Sequence, residues 1–416
     1  MPEFLHLVPP SEALTRLLDN FHPTLEIEEI ATIEALGRVS AEPVNAPHPL
    51  PSFPRATHDG YAVRAEDTYG ASESLPAYLK VIGEILMGSA PQAAIKAGEC
   101  LLIHTGGMLP EGANAVVMLE YTQAVKNTNE IEVLRPAAIG ENVIKVGEDV
   151  VAGQEVISPG RRLRAAEIGG AAALGITRLK VFRQPRIALI STGDEVVPPD
   201  QTIQPGQVRD VNTYTLSALI SENGGIPLSY GILPDNAQVL AETAGKALEA
   251  CDGLIITAGS SASARDLTSE IIQQLGSPGV LVHGINIRPG KPTILGVCRQ
   301  AGKSDKPVIG LPGNPVSALV IATLFVKPIL RLLNGLPAVP PQPVIRAKLT
   351  VNLPSEAGRE DWAPVRLVET AEGYLAEPVF GKSNLIFTLV RADGLVRIPM
   401  DANGVSAESI VEVFPL

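Results

Sequence analysis

The stretch PRIALISTGDEVVP, Pro185 to Pro198, decides the fold. It carries four consecutive aliphatic residues, Ile187 to Ile190, straight into Ser191, Thr192, Gly193, Asp194 and Glu195. A short apolar run bounded by polar turn residues suits a strand buried on both faces, the kind found in parallel sheets covered by helices. Its polar tip then lies at the carboxyl edge, beyond which open α/β sheets bind their ligands.

The same pattern recurs four times before residue 320. PLSYGILPDN (227–236) follows an amphipathic helical stretch, VNTYTLSALISEN (211–223), and is tipped by Asp235. DGLIITAGSSASARD (252–266) runs from an apolar core into Gly259, Ser260 and Ser261, a small-residue loop closed by Arg265 and Asp266. VLVHGINIRPGKP (280–292) ends in Arg288, Pro289, Gly290 and Lys291. PVIGLPGNPVSALV (307–320) ends in Pro312, Gly313, Asn314 and Pro315, a turn that opens a helix. Five strand tips bearing acids, bases, hydroxyls and backbone N–H groups thus converge on one edge.

Composition bounds the rest. A chain of 416 residues exceeds one core, so two to four domains are expected. The net charge of -12 argues against non-specific nucleic-acid binding, which needs a basic surface. Cys100, Cys251 and Cys298 form no CxxC pair and read as reduced, buried thiols of a cytoplasmic protein. The six histidines show no zinc spacing. No signal peptide is expected, and Ala318 to Val326 is too short an apolar run to span a bilayer, so it reads as a core helix.

In chain order, SEALTRLLDNF (11–21) predicts a helix capped by Ser11. Five prolines between 43 and 54 make an extended connector that delivers one polar turn, THDGYA, Thr57 to Ala62. Residues 75–135 alternate apolar runs with Gly-bearing turns, the pattern of a small β-rich domain, and Thr105 to Gly107 form a second polar turn in it. NGLPAVPPQP (334–343) reads as a linker, and the alternation that follows predicts a terminal β domain of barrel-like form.

HDGYAV (58–63), TGGMLPEGANAVV (105–117), GED (147–149), STGDE (191–195), RPGKP (288–292) and GLPGNPVSA (310–318) occur in one family's order. Together they resemble the molybdopterin molybdenumtransferases, relatives of the E domain of gephyrin. The resemblance implies a multidomain α/β plus β protein. A linking domain would comprise 1–24 and 148–182, an inserted β-rich domain 25–147, a three-layer α/β domain with a mostly parallel sheet 183–334, and a β domain 335–416. It implies a cytoplasmic homodimer with its active site across the subunit interface, and transient contact with the molybdopterin adenylyltransferase; neither nucleic acid nor membrane is expected as a partner. The implied reaction takes adenylylated molybdopterin and molybdate to molybdenum cofactor and AMP, with Mg2+.

The implied catalytic groups are Asp59, Thr105, Glu195, Asp235, Asp266, Arg288 and Lys291, with Glu195 and Asp266 on the metal. Substrate contacts are implied for Thr192, Gly193, Asp194, Gly259, Ser260, Ser261, Pro289, Gly290, Pro312, Gly313, Asn314 and Pro315. The chemistry agrees: a pyrophosphate-bearing pterin and an oxyanion call for fixed cations, here Arg288 and Lys291, and for a dication on hard carboxylate oxygens. Asp59 can serve as an acid/base or metal-orienting group and Thr105 as a hydrogen-bond donor. Asp235 and Asp266 could instead merely cap helices. Departures from the commonest family pattern are Ser260 and Ala264 at usual glycines, His58 for an apolar residue, Arg288 for lysine, and Lys145 alone in a usually more basic run. A molybdopterin adenylyltransferase and a gephyrin-like scaffold or cofactor carrier are the competing readings, and molybdenum or tungsten could be the metal inserted.

Overall fold

Arg186–Thr192 is a strand buried from Ile187 onward, as a run of aliphatic residues covered on both faces must be. The structure, a computed structural model, describes residues 7–258, 262–299, 304–341 and 343–416. Its packing divides the chain into two units. One holds the described residues up to Glu29, Gly37–Ala41 and Lys180–Leu416; the other holds Ile30–Leu36 and Glu42–Leu179.

The first unit is built on a six-stranded sheet. In spatial order its strands are Ile226–Leu233, Arg186–Thr192, Gly253–Ala258, Lys306–Pro312, Ile294–Arg299 and Ser277–His283. The first four run parallel; Ile294–Arg299 is antiparallel to both of its neighbours, so Ser277–His283 shares the sense of the first four. The five expected tips therefore lie on one edge. The reversed strand is the return arm from the RPGKP segment, and its direction could not be read from its apolar run.

Helices cover both faces. Asn212–Glu222 and Ala237–Ala250 bury Leu216, Leu219, Ile220 and Leu240, Ala244, Ala247, Leu248 respectively, the three- and four-residue spacing of an amphipathic helix. The first packs in one core with Phe325, Ile329 and Leu330; the second packs on the other side with Ile271 and Ile272. This makes three layers.

The helix Pro315–Leu333 has the length and the mean hydropathy, 2.0, of a membrane span, but it is 67% buried and serves as the core helix of this layer. Within it Ala322–Val326 forms a wide π-type turn. Pro328 explains the turn: it lacks an N–H for the Leu324 carbonyl and its ring crowds that carbonyl, so the preceding backbone opens.

The N-terminal helix, Pro10–Asp19, buries Ala13 and Leu17 in the same α/β core, joined by Phe21. The sequence reading assigned residues 1–24 to the linking domain with 148–182; the apolar face is legible, but its partner is not. Pro9 occupies the N-cap and no side chain caps the helix; Ser11 instead accepts the Thr15 hydroxyl at its carbonyl.

The terminal domain is a closed five-stranded barrel. Glu360–Thr370, Gly373–Pro378, Ile345–Leu349, Ile410–Pro415 and Gly394–Ile398 pair in that order, and the last pairs with the first. A sixth short strand, Ile287–Arg288, joins it from the α/β domain, parallel to Glu360 and Asp361. Trp362, Leu389 and Leu395 belong to the α/β core, so barrel and sheet share one apolar interior.

In the second unit six strands form a sheet in the order Ala115–Met118, Gly60–Val63, Glu99–Ile103, Ala77–Glu84, Glu130–Val133, Thr122–Ala124. It buries one cluster around Val63, Leu79 and Val133 and another around Ile85, Ile103 and Val116. Cys100, Cys251 and Cys298 are buried and unpaired, and burial pushes the Cys100 thiol up to about 12.

Candidate active site

At the carboxyl edge of the first unit, Thr192 ends its strand and Gly193 turns the chain at φ +138. A Cβ on Gly193 would lie 2.7 Å from Glu195 Oε2, so only glycine lets that carboxylate fold back over the turn. The N–H of Asp235 donates to Asp194 Oδ1 at 3.3 Å, which draws the neighbouring tip alongside. Burial, and then the charges of Asp194 and Glu195, raise the Asp235 carboxyl above its ordinary value, while a hydrogen bond from the Thr192 side chain opposes the shift. Thr192, Asp194, Glu195 and Asp235 are thus one cluster.

The bland alternatives for the two aspartates fail. Asn236 caps its helix, accepting from Gln238 N at 3.0 Å and Val239 N at 3.1 Å, which leaves Asp235 to the cluster. Asp266 is the fifth residue of the helix Ala262–Leu275, too far in to cap it, and is exposed. Gly259, Ser260 and Ser261 lie outside the described residues. Among the described residues, no group of three or more His, Cys, Asp or Glu is arranged to hold a metal ion.

Beneath the rim lies a polar layer that the sequence reading missed. Ser191 Oγ sits 3.0 Å from Asp210 Oδ2, 3.0 Å from Thr213 Oγ1 and 3.2 Å from Thr257 Oγ1. Thr213 donates its N–H to Asp210 Oδ1 at 3.0 Å and its hydroxyl to Oδ2 at 2.6 Å. Asn212 Nδ2 donates to the Gly313 carbonyl at 2.9 Å, tying this layer to the GLPGNP turn. An acid three residues before a threonine at a helix start was the available signal.

The GLPGNP turn is tied to the barrel. Pro315 has no N–H, Val316 donates its own to the Ser383 carbonyl at 3.0 Å, and Ala318 donates to Asn314 O at 2.9 Å. Asn314 Nδ2 meets Ser383 Oγ at 3.1 Å. A loop of the barrel thus takes one backbone N–H and one side-chain amide of this turn.

Arg288 and Lys291 lie on the loop between the strands Ser277–His283 and Ile294–Arg299. Both are exposed, and Arg288 NH1 is 3.8 Å from Asp361 Oδ2, a carboxylate already bound by Arg359 Nε at 2.8 Å. Ile285 N donates to Lys291 O at 2.9 Å, and Thr293 Oγ1 to Gly290 O at 2.6 Å, which close the loop on itself. Arg359, Asp361 and Ser383 were missed because they lie in a domain read as separate.

The second unit holds Asp59 and Thr105 together. Gly60 pairs with Ile103 in antiparallel register, so the residues beyond them face each other at the same end of the ladder. A Cβ on Gly60 would lie 2.0 Å from the Val117 carbonyl oxygen, which requires glycine directly after Asp59. Asp59 Oδ1 accepts from Thr105 N at 2.7 Å and from Thr105 Oγ1 at 2.9 Å. The Thr105 N–H, then its hydroxyl, hold the Asp59 carboxyl below its ordinary value against some desolvation, and His104 and His58 add to this. His104 Nε2 is itself 2.8 Å from Glu84 Oε1. Asp59 is therefore a carboxylate at neutral pH, and Thr105 spends both of its donors on it.

This arrangement, a carboxylate cluster and a cationic loop on one edge of a three-layer sheet, meets matching results from known proteins. A family described as "Probable molybdopterin binding domain" matches residues 188–332, which defines the class of the central domain. "MoeA N-terminal region (domain I and II)" matches residues 8–175 and "MoeA C-terminal region (domain IV)" matches 346–416. The chain belongs to the molybdopterin molybdenumtransferase (MoeA) family. It is 34% identical to molybdopterin molybdenumtransferase of Nostoc sp. over 100% of this chain and 96% of that one. It is 32% identical to the Bacillus subtilis protein of that name, over 98% and 93%. The crystal structure of a molybdopterin biosynthesis MoeA protein from Pyrococcus horikoshii superposes with a TM-score of 0.84 at 32% identity, covering 99% of this chain and 100% of that one. The fold and the enzyme class expected from the motifs are borne out.

Proposed function

We propose that the chain transfers molybdenum from molybdate to adenylylated molybdopterin, with Mg2+ present, and releases AMP as the phosphoanhydride is cleaved by water. The observation that carries this reading is the single rim shared by Thr192, Asp194, Glu195 and Asp235 and by the loop of Arg288 and Lys291. Both substrates are anions, and two exposed cations on a closed loop suit them. The carboxylates fit a hard dication that keeps most of its waters, since burial and then the charges of Asp194 and Glu195 already raise Asp235. Glu195, with Asp266 on the adjacent helix, would hold it, most of its shell remaining water; bound there, it would neutralise phosphate charge.

Asp59, ionised and fixed by Thr105, is suited to orient a proton or a hydrated cation rather than to donate a proton. In this reading the protein is a cytoplasmic homodimer, and the Asp59 turn of one subunit completes the rim of its partner. The molybdopterin adenylyltransferase delivers the substrate by transient contact.

Purified protein supplied with adenylylated molybdopterin, Mg2+ and either molybdate or tungstate tests the reaction, read as AMP release and as activation of a cofactor-dependent apoenzyme. Lys291→Ala is expected to lose at least about tenfold in rate, the scale of one removed electrostatic donor. Absence of AMP release from the wild type would remove the reading. Mixing Asp59→Asn with Lys291→Ala tests the shared site: partial recovery of activity is expected, and none would reject it.

A further inference from the structure

We propose that Ile321, deep in the core helix, is a positioning residue for the cationic loop. This rests on the reading of Arg288 and Lys291 given above. Gly290, beside Lys291 in that loop, has φ +114, and a Cβ there would lie 2.3 Å from Ile321 Cγ1 and 2.5 Å from its Cδ1. The backbone at Gly290 therefore rests directly on this side chain, which is itself fully buried, while Ile287 and Arg288 are held separately by the barrel strand. Among the described residues no other heavy atom outside the adjoining chain comes as close to that position; the next is Ile287 Cγ2 at 3.8 Å.

The helix presents Ile321 for this purpose by an identifiable device. Ile321 is the last residue before the wide turn Ala322–Val326. Pro328 forces the turn open, and Thr323 Oγ1 bonds back to the Leu319 carbonyl at 2.9 Å, a contact that competes with regular α-helical bonding. A π-type turn inserts one residue into the helical register, so it rotates everything before it relative to everything after it. The segment before the turn begins at the GLPGNP rim and ends at the seat of Gly290; the segment after it packs on the sheet. One local distortion thus lets the same helix serve rim and core.

Ile329 supplies the control. It lies in the same helix and the same core, is 2% exposed, and sits about 12 Å further along the axis. Ile321→Ala and Ile329→Ala each remove the same buried atoms and are expected to lower the thermal midpoint comparably. Only Ile321→Ala is expected to raise the KM for molybdate, by roughly ten- to a hundredfold, the upper figure being the effect of a displacement of about an ångström. Only Ile321→Ala is expected to speed hydrogen exchange at the Ile285 amide, which closes the loop on Lys291 O, and Ile321→Val should restore most of both properties. Equal changes in the two alanine variants, or faster exchange with an unaltered KM, would overturn the proposal. Should Ile321→Ala not fold, Ile321→Val against Ile329→Val makes the same comparison. A Lys291→Ala enzyme with unaltered molybdate KM would instead reject the functional reading, while the exchange result still reports on the seat itself.

Discussion

Asp59 Oδ1 takes two hydrogen bonds from one residue, the Thr105 N–H at 2.7 Å and the Thr105 hydroxyl at 2.9 Å. Each donor favours the ionised carboxylate, so the acid side of any pH profile that depends on Asp59 lies below the ordinary aspartate range. Thr105→Val keeps the backbone donor and removes the other. The acid limb of AMP release should move to higher pH, and the Asp59 carboxyl should follow in a carbon NMR titration. An unmoved limb together with an unmoved titration would show that the hydroxyl contributes nothing.

Asp235 behaves in the opposite sense. Its folded value is raised above the unfolded one, about 3.9, so its contribution to stability is fully present below that pH and is lost as pH rises through the raised value. At pH 7 the charged form opposes folding. Asp235→Asn should therefore be slightly more stable at pH 7, by roughly 0.5 kcal/mol after solvent screening of an exposed group, and no more stable at pH 3. Its insertion activity should fall. Matching thermal midpoints at pH 7 would count against the clustered charges.

Gly193→Ala tests the fold-back of Glu195. The residue would meet an unfavourable φ and a carboxylate oxygen 2.7 Å from the new methyl group. Glu195 must swing away, so activity should drop sharply, with a stability loss of about 1–3 kcal/mol from the backbone term. A crystal structure with Glu195 undisplaced, or full activity in the variant, would contradict this.

Asn314 and Ser383 couple the sheet rim to the barrel through one side-chain hydrogen bond at 3.1 Å. A double-mutant cycle with Asn314→Ala and Ser383→Ala should give a coupling of about 0.5–1.5 kcal/mol in chemical denaturation. Additive losses would mean that the Ser383 carbonyl, which alanine retains, is the sole tie.

The sheet edge was legible because Ile187 to Ile190 and its counterparts are continuous apolar runs that end in polar turns, a signal wholly local in the chain. Asp59 and Thr105 were legible only as separate turns; the register pairing Gly60 with Ile103 is what joins them. Ser383, Arg359 and Asp361 carried no local mark, since their meaning comes from a ladder and a helix cap that join residues roughly seventy positions apart in the chain. The reversed strand Ile294–Arg299 is as apolar as its parallel neighbours, so burial could reveal its existence but not its direction.

The pairing of Ile287 and Arg288 with Glu360 and Asp361 bears on how this protein can be taken apart. Two residues of the α/β domain are also staves of the barrel, so a cut in the proline-rich stretch after Leu333 would not yield a trimmed but intact enzyme. It would strip the cationic loop of its strand partner and bare the apolar side of Trp362's neighbours. A chimera that exchanges barrels between relatives would have to carry residues 287–288 with the graft, because inheritance of the tail and of the loop is one event.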